Sequence, residues 1–322
     1  MKQNELRAKL QELQELALRE NIDIEADLNR LSEKLAEDDS GAWRRVELAR
    51  HQDRPSVLQY LEMISERYIE LHGDRTFGDD PAMVGAIATI GGVHCTVLGH
   101  QKGRNMRENL RRNYGMAHPE GYRKALRLAQ QAERFRRPIL TLIDTPGAFP
   151  GLAAEERGIG EAIARNLREF SRLTVPIITF VIGEGGSGGA LGIGVADRVY
   201  MLENTVYSVI SPEGFASILL RDAKKAQQAA GLMRMTAPDL SAFRVIDGII
   251  EEPVGGAHKD PQSMAARIKT RFLEDYEQLS RRKTERLLKE RSEKLLAMGR
   301  VREEQIGHSV GILGRLFGRR PR

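Results

Sequence analysis

The amino-acid sequence predicts an α/β core with a helical extension on either side. Three features carry the prediction. Strand-like apolar runs alternate with helix-periodic segments between Val84 and Leu202, glycine-rich turns close several of those runs, and charged helical segments precede and follow them. In such a core the loops at the sheet ends present the chemistry.

In chain order, residues 1–70 hold little glycine or proline, and Leu6, Leu10, Leu13 and Ala17 recur at helical spacing. They predict a helical arm that packs on the chain's own body or on another subunit. Pro55 followed by Val57, Leu58, Leu61 and Ile64 marks a fresh helix start. Val84 to Ile90 and Val93 to Gly99 flank Gly91 and Gly92, a hairpin signal. Further units are a strand from Ile139 to Ile143, a helix from about Glu155 to Leu173, a strand from Val175 to Ile182, a short helix after Ser187 and a strand from Val199 to Leu202. Ser211, Pro212 and Glu213 supply an N-cap, an N1 proline and an acid that favours the helix dipole. Beyond Pro261 the chain is charged helix to about Met298, followed by a Gly- and Arg-rich tail. The division is thus a helical arm over 1–70, a catalytic body over 71–260, helices over 261–300 and a basic tail over 301–322.

With 41% hydrophobic and 30% charged residues the composition is that of a soluble globular protein. No apolar run approaches the roughly 20 residues of a spanning helix, and Met1 is followed by polar residues, so a cytoplasmic location is expected. Cys95 is the single cysteine, which excludes an intrachain disulfide and reads as a buried thiol. A net charge of +5 suits anionic partners of any kind. Aromatics make up only 5% and are not interleaved with the basic residues, which argues against nucleic-acid binding. The seven histidines form no metal or acid–base constellation, so no metal is expected in this chain.

The most informative stretch is Val181 to Gly194, VIGEGGSGGALGIG, where a strand meets seven glycines and a small-residue helix. Such a corner lets backbone approach a ligand closely and offers unpaired N–H groups to negative charge. Three chemistries fit it. Gly183, Gly185 and Gly188 spell G-x-G-x-x-G, a dinucleotide fingerprint with Glu203 further on, although the following helix is short and holds Gly192 and Gly194. Gly185, Ser187 and Gly189 spell the G-x-S-x-G of a nucleophile elbow, with Asp197 and His258 following in order. The third is an oxyanion site made of main-chain N–H groups alone.

Several longer runs accompany the cluster: GHQKGR at 99–104, RRNYGMAHPEGYRKALRLAQQAERF at 111–135, DTPGAFPG at 144–151, AEERG at 154–158, EAIARNLREFSRL at 161–173, VIGEGGSGGA at 181–190 and YSVISPEGFASIL at 207–219. On these the chain, from about Gly73 to Gly256, resembles the alpha subunits of bacterial-type acetyl-CoA carboxylase carboxyltransferase. The resemblance implies a crotonase-like (ClpP/crotonase) fold of repeated ββα units. It implies transfer of the carboxyl group from carboxybiotin on a biotin carrier protein to acetyl-CoA, giving malonyl-CoA for fatty acid synthesis. The implied partners are a zinc-containing beta subunit in an α2β2 assembly, the carrier protein, and an ATP-using biotin carboxylase upstream. A serine hydrolase using Ser187 and a non-catalytic structural subunit are the rival readings.

Under the resemblance, the ureido oxygen of biotin meets the N–H groups of Gly189 and Ala190, with Gly188 allowing close approach. Gly185 and Gly186, with Gly147, Ala148 and Phe149 of the second loop, line the biotin pocket. In the basic run Lys102, Arg104, Arg107, Arg111, Arg112, Arg123 and Arg127, anion contacts fall to Arg104 and Arg107. Asp144 reads as a cap of its own turn and His118 as structural. The polar N-terminus and the basic C-terminal tail depart from the pattern of such subunits.

Overall fold

The computed structural model describes residues 41–299; the remainder of the predicted arm and the basic tail lie outside the described residues. Helices α1 (41–49) and α2 (Val57–Ile64) lead into strand β1 (Arg67–Glu70). The hairpin β2 (Met83–Ile90) and β3 (Val93–His100) is followed by α3 (Met106–Arg111), α4 (Pro119–Arg134) and β4 (Ile139–Thr145). Next come α5 (Leu152–Glu156), α6 (Ile159–Phe170), β5 (Ile177–Gly186), α7 (Ser187–Leu191), β6 (Arg198–Leu202) and β7 (Val206–Ser208). Helices α8 (Pro212–Leu219), α9 (Ala226–Met233) and α10 (Ala237–Ala242), strand β8 (Gly248–Ile250), and helices α11 (Pro261–Ser280) and α12 (Thr284–Ala297) complete the order.

One mixed sheet runs β1-β2-β3-β4-β5-β6-β8, with β7 paired to the far end of β5. The first three strands are antiparallel and the rest parallel. The hairpin closes where predicted: Ile90 pairs with Val93, and Gly91 and Gly92 take φ of 57° and 78°, which only glycine adopts without strain. Together β2, β3 and α4 form one ββα unit. Every residue of β4 is buried, and β5 is buried through Gly185, because helices cover both faces of the sheet. Side chains alternate accordingly. Ile139, Ile143, Ile177 and Val181 join Tyr122, Leu128 and Phe170 in one core, while Leu140, Leu142, Ile178 and Phe180 join Tyr60, Leu61, Met264 and Phe272 in the other.

The structure departs from the predicted elements at identifiable places. The arm does not stay helical to residue 70, since Arg67–Glu70 pairs with β2 as an edge strand too short for its alternation to be read. Its described helices pack on the chain's own body: Val46 and Ala49 meet Val206 and Met235, and Tyr60 and Leu61 enter the core. Helix α2 starts at Val57, just past the Pro55 that marks the break, with Ser56 as its N-cap, and Gln59 Oε1 accepts the Ser56 N–H at 3.0 Å. The helix predicted over 155–173 breaks at Gly158, which is left-handed at φ 79°. Strand β5 continues four residues past Ile182 because β7 pairs with Glu184, Gly185 and Gly186. Cys95 is buried as predicted, and burial pushes its thiol up to about 12.

Helix α12 is fastened to the body by Lys294, Leu287 and Leu295 and, most deeply, by Arg291. Arg291, fully buried, donates from Nε and Nη2 to the two carboxylate oxygens of Asp197 at 2.8 and 2.7 Å. It also donates to the carbonyls of Phe170, Leu173 and Val175 at 3.1, 2.6 and 3.0 Å, and Asp197 in turn accepts the N–H of Ile177. Removing one partner of such a pair leaves the other charged and dehydrated. Arg291→Met should therefore lower unfolding stability by about 3–5 kcal/mol, read from urea denaturation midpoints at constant slope.

Candidate active site

Strands β4 and β5 run parallel and end together, so the loop from Asp144 to Gly151 and the corner from Gly183 to Ala190 leave the sheet side by side. Their backbones touch. A Cβ on Gly186 would lie 2.0 Å from the Pro146 carbonyl oxygen, and one on Gly189 would lie 2.4 Å from Ala148 N. Glycine is mandatory at both positions. At Gly188 the nearest atom to such a Cβ is Ile163 Cγ2 at 3.7 Å, so this position is not pressed against neighbouring backbone. Between Gly186 and Gly188, Ser187 takes φ 53°, a left-handed conformation that costs a non-glycine residue about 1–2 kcal/mol and turns the strand sharply into α7.

That turn decides which amides are open. With Gly186 as N-cap, the N–H groups of Ser187, Gly188 and Gly189 precede the first intrahelical acceptor, and Ala190 is the first residue whose N–H can reach back to the Gly186 carbonyl. Of the Gly189 and Ala190 amides read from the sequence, only that of Gly189 falls among these three, and both residues are buried. Beside Ser187 and Gly188 lies a pocket of about 290 Å³ with Leu191, Tyr207, Val209 and Leu240 among its apolar walls. Gly147 and Ala148 support the corner from the other side. Phe149 leans on His118, ring centroids 4.2 Å apart.

A second cleft, about 770 Å³, opens across the β3, β4 and β5 ends and holds a chain of charges. Lys102 Nζ lies 2.8 Å from both Asp144 Oδ1 and Glu184 Oε2. Arg50 Nε lies 2.7 Å from Glu184 Oε1, and its Nη1 lies 2.6 Å from Glu213 Oε1 at the start of α8. Asp144 Oδ1 also accepts the Glu184 N–H at 3.0 Å. Asp144 therefore caps the neighbouring strand instead of its own turn, where Thr145 Oγ1 accepts the Gly147 N–H. Arg104 is exposed on this cleft, and Arg107 is exposed on α3, away from the amides. Of the rest of the basic run, Arg111 is exposed, Arg123 pairs with Asp74, and Arg112 and Arg127 donate to the Pro81 and Gly73 carbonyls. Lys102, Asp144 and Glu184 each stand near the end of one of three adjacent strands, a positional signal the sequence carried. Arg50 and Glu213 had none.

The competing chemistries find no support here. Both oxygens of Asp197 are held by Arg291, and His258 stacks on His51 at 3.8 Å, so no triad assembles on Ser187. Gly183 and Gly185 lie within β5 instead of in a phosphate loop, and Glu203 accepts the Glu252 N–H.

Burial alone would raise the Glu184 carboxyl, but the charges of Lys102 and Arg50 outweigh it and hold the group at about 2. Burial likewise opposes the charge on Lys102, and Asp144 and Glu184 override it upward. A carboxyl depressed from its ordinary 4.5 stabilises the folded state fully above that value and loses the contribution as pH falls toward 2. Glu184→Gln should flatten that part of the acid slope, seen in urea midpoints measured between neutral and strongly acidic pH.

Comparison with known proteins places this geometry. The model of the family described as acetyl co-enzyme A carboxylase carboxyltransferase-like matches residues 1–299. The acetyl-coenzyme A carboxylase carboxyl transferase subunit alpha of Treponema denticola is 56% identical over 296 residues, covering 91% of this chain and 97% of that protein. Its counterpart in Alkaliphilus oremlandii is 52% identical over 302 residues, covering 92% and 96%. Among solved structures, transcarboxylase 12S with methylmalonyl-coenzyme A and methylmalonic acid bound superposes with a TM-score of 0.55 at 22% identity, over 68% of this chain and 42% of that one. A chain of the Pseudomonas malonate decarboxylase hetero-tetramer in complex with coenzyme A does so at 0.55 and 19%, over 75% and 93%. The structural likenesses establish the crotonase-like fold. By its sequence matches, the chain belongs to the acetyl-coenzyme A carboxylase carboxyltransferase alpha-subunit family.

Proposed function

We propose that this chain is the carboxybiotin-handling half of a carboxyltransferase. With a beta subunit it moves the carboxyl group from carboxybiotin on a biotin carrier protein to acetyl-CoA, giving malonyl-CoA for fatty acid synthesis. The observation that carries this reading is the pair of open amides, Gly188 and Gly189, fixed at the β5–α7 corner beside an apolar pocket. Carboxybiotin supplies the activated carboxyl group. As that group departs, charge develops on the ureido oxygen, and donors already oriented toward it stabilise the transition state without reorganising. The absence of side chains at 188 and 189 leaves the oxygen a path to both amides. Apolar walls with a few converging polar groups suit a bicyclic ring with one polar edge. No side chain of this chain is required as nucleophile or base in this scheme.

The remaining assignments follow from the family. The beta subunit, carrying zinc, holds acetyl-CoA and the second oxyanion site in an α2β2 assembly, and a biotin carboxylase recharges the carrier with ATP. Arg104 and Arg107, both exposed, are available to phosphate or carboxylate groups across that interface. Among the described residues no helix is long and apolar enough to cross a membrane, and no group of three or more His, Cys, Asp or Glu could hold a metal ion.

The test is malonyl-CoA formation by this chain, by beta and by their mixture. Activity is expected in the mixture alone, and full activity from beta by itself would sink the proposal. Ser187→Ala should retain activity. Gly188→Val, where an added Cβ meets only the Ile163 side chain at ordinary contact distance, should keep the fold and lower kcat/KM on the order of 100-fold by obstructing the amides. Gly189→Val should lose activity together with thermal stability, since its Cβ meets the Gly147–Ala148 backbone.

A further inference from the structure

We propose that the Tyr122 hydroxyl is a positioning group that pins the Gly189–Ala190 peptide of α7 through its carbonyl and so holds in place the backbone that carries the Gly189 N–H. The inference rests on the reading of Gly188 and Gly189 as oxyanion donors and assigns the group that holds one of them in place.

Helix α7 is too short to hold itself. Past its first turn the N–H of Gly192 reaches the Gly188 carbonyl at 2.9 Å, but the N–H of Ile193 bonds to Ala190 O at 3.4 Å and that of Gly194 to Leu191 O at 2.9 Å. This ladder passes over the Gly189 carbonyl. Tyr122, one turn into α4, reaches it from behind, its hydroxyl donating to Gly189 O at 3.2 Å. The ring has no freedom to leave, being fully buried beneath Gly192, where a Cβ would lie only 2.6 Å from ring carbons. Asn166 of α6 closes the clasp, donating from Nδ2 to Gly192 O at 2.9 Å and to Tyr122 O at 3.0 Å. Thus α7 is gripped by residues of two helices that do not line the pocket, one grip falling on the carbonyl of Gly189, in the peptide that follows its N–H.

The surroundings keep the grip simple. Burial pushes the Tyr122 phenol upward, so the oxygen keeps its proton and acts as donor. His100 lies edge-on to the ring at 6.2 Å, wholly buried, with neither ring nitrogen hydrogen-bonded. Burial holds its pKa at about 3, outweighing an interaction with the Gly189 backbone, so it faces that residue as a neutral ring. Hydrogen-bond strength falls steeply with angle, so a Gly189 free to tilt would be a poorer donor. Because that donor matters most once charge has developed, misalignment lowers kcat and leaves KM alone.

Tyr122→Phe removes one oxygen and keeps the ring under Gly192. In the complete mixture of this chain, beta subunit, carboxylated carrier protein and acetyl-CoA, the variant should lower kcat about three- to tenfold at unchanged KM for the carrier. Replacing Tyr122 with 3-fluorotyrosine, which retains the hydroxyl, should restore kcat. A purely packing role would leave Phe as good as Tyr. Wild-type activity with an unchanged kcat in Tyr122→Phe overturns this inference alone, as does a loss that only tracks the folded fraction measured by circular dichroism. No malonyl-CoA from the wild-type mixture overturns the functional reading and this inference with it.

Discussion

Backbone pressed against backbone is the constraint on which the site depends. The chain at Gly186 and Gly189 lies so close to Pro146, Gly147 and Ala148 that no side chain fits between them. Two loops from neighbouring parallel strands therefore behave as one body. The strain at Ser187 is tolerated because both flanks are fixed: the strand continues into its pairing with β7, and the helix is seated on the neighbouring loop. Open amides aimed by such a rigid corner need no catalytic side chain beside them.

The ion chain through Asp144, Lys102, Glu184, Arg50 and Glu213 extends the same logic to longer range. It joins the ends of β3, β4 and β5 to the start of α8 and to the segment after α1. Buried ion pairs add little net stability, because dehydration offsets most of the attraction. What they add here is register, since Lys102 and Arg50 each bridge two carboxylates and cannot shift without leaving a charge unpaired. Arg291 plays the same part on the far side, tying α12 to Asp197. Between these clamps the sheet is covered on both faces, so the strand ends are the places where polar backbone is left to act.

The two cavities that meet at this corner differ in character. The smaller has apolar walls and touches Ser187 and Gly188, whereas the larger holds the ion chain of Lys102, Asp144, Glu184 and Arg50, whose charges are compensated within the chain. Lys102 reads from sequence as part of an anion-binding run, yet it faces two carboxylates, as does Arg50. Net positive charge alone is thus a poor guide to where an anionic ligand sits. Main-chain donors, uncharged and fixed, are the better candidates.

Local chemistry settled much of this in advance. The hairpin at Gly91-Gly92, the buried strand at Ile139, the Ser211 cap and the glycine corner each follow from residues adjacent in sequence, whose preferences act over a few bonds. The family resemblance rested on such runs as well, which is why the fold and the region of the site were legible before any coordinates. Strands of three or four residues such as β1, β7 and β8 were not legible, because pairing partners distant in sequence create them. The register of the open amides, the partners of Asp144, the reason Gly189 must be glycine and the hydroxyl behind it were decided by tertiary structure alone. Each depends on which atoms of separate segments come within 3 Å, a quantity that chain order does not encode locally.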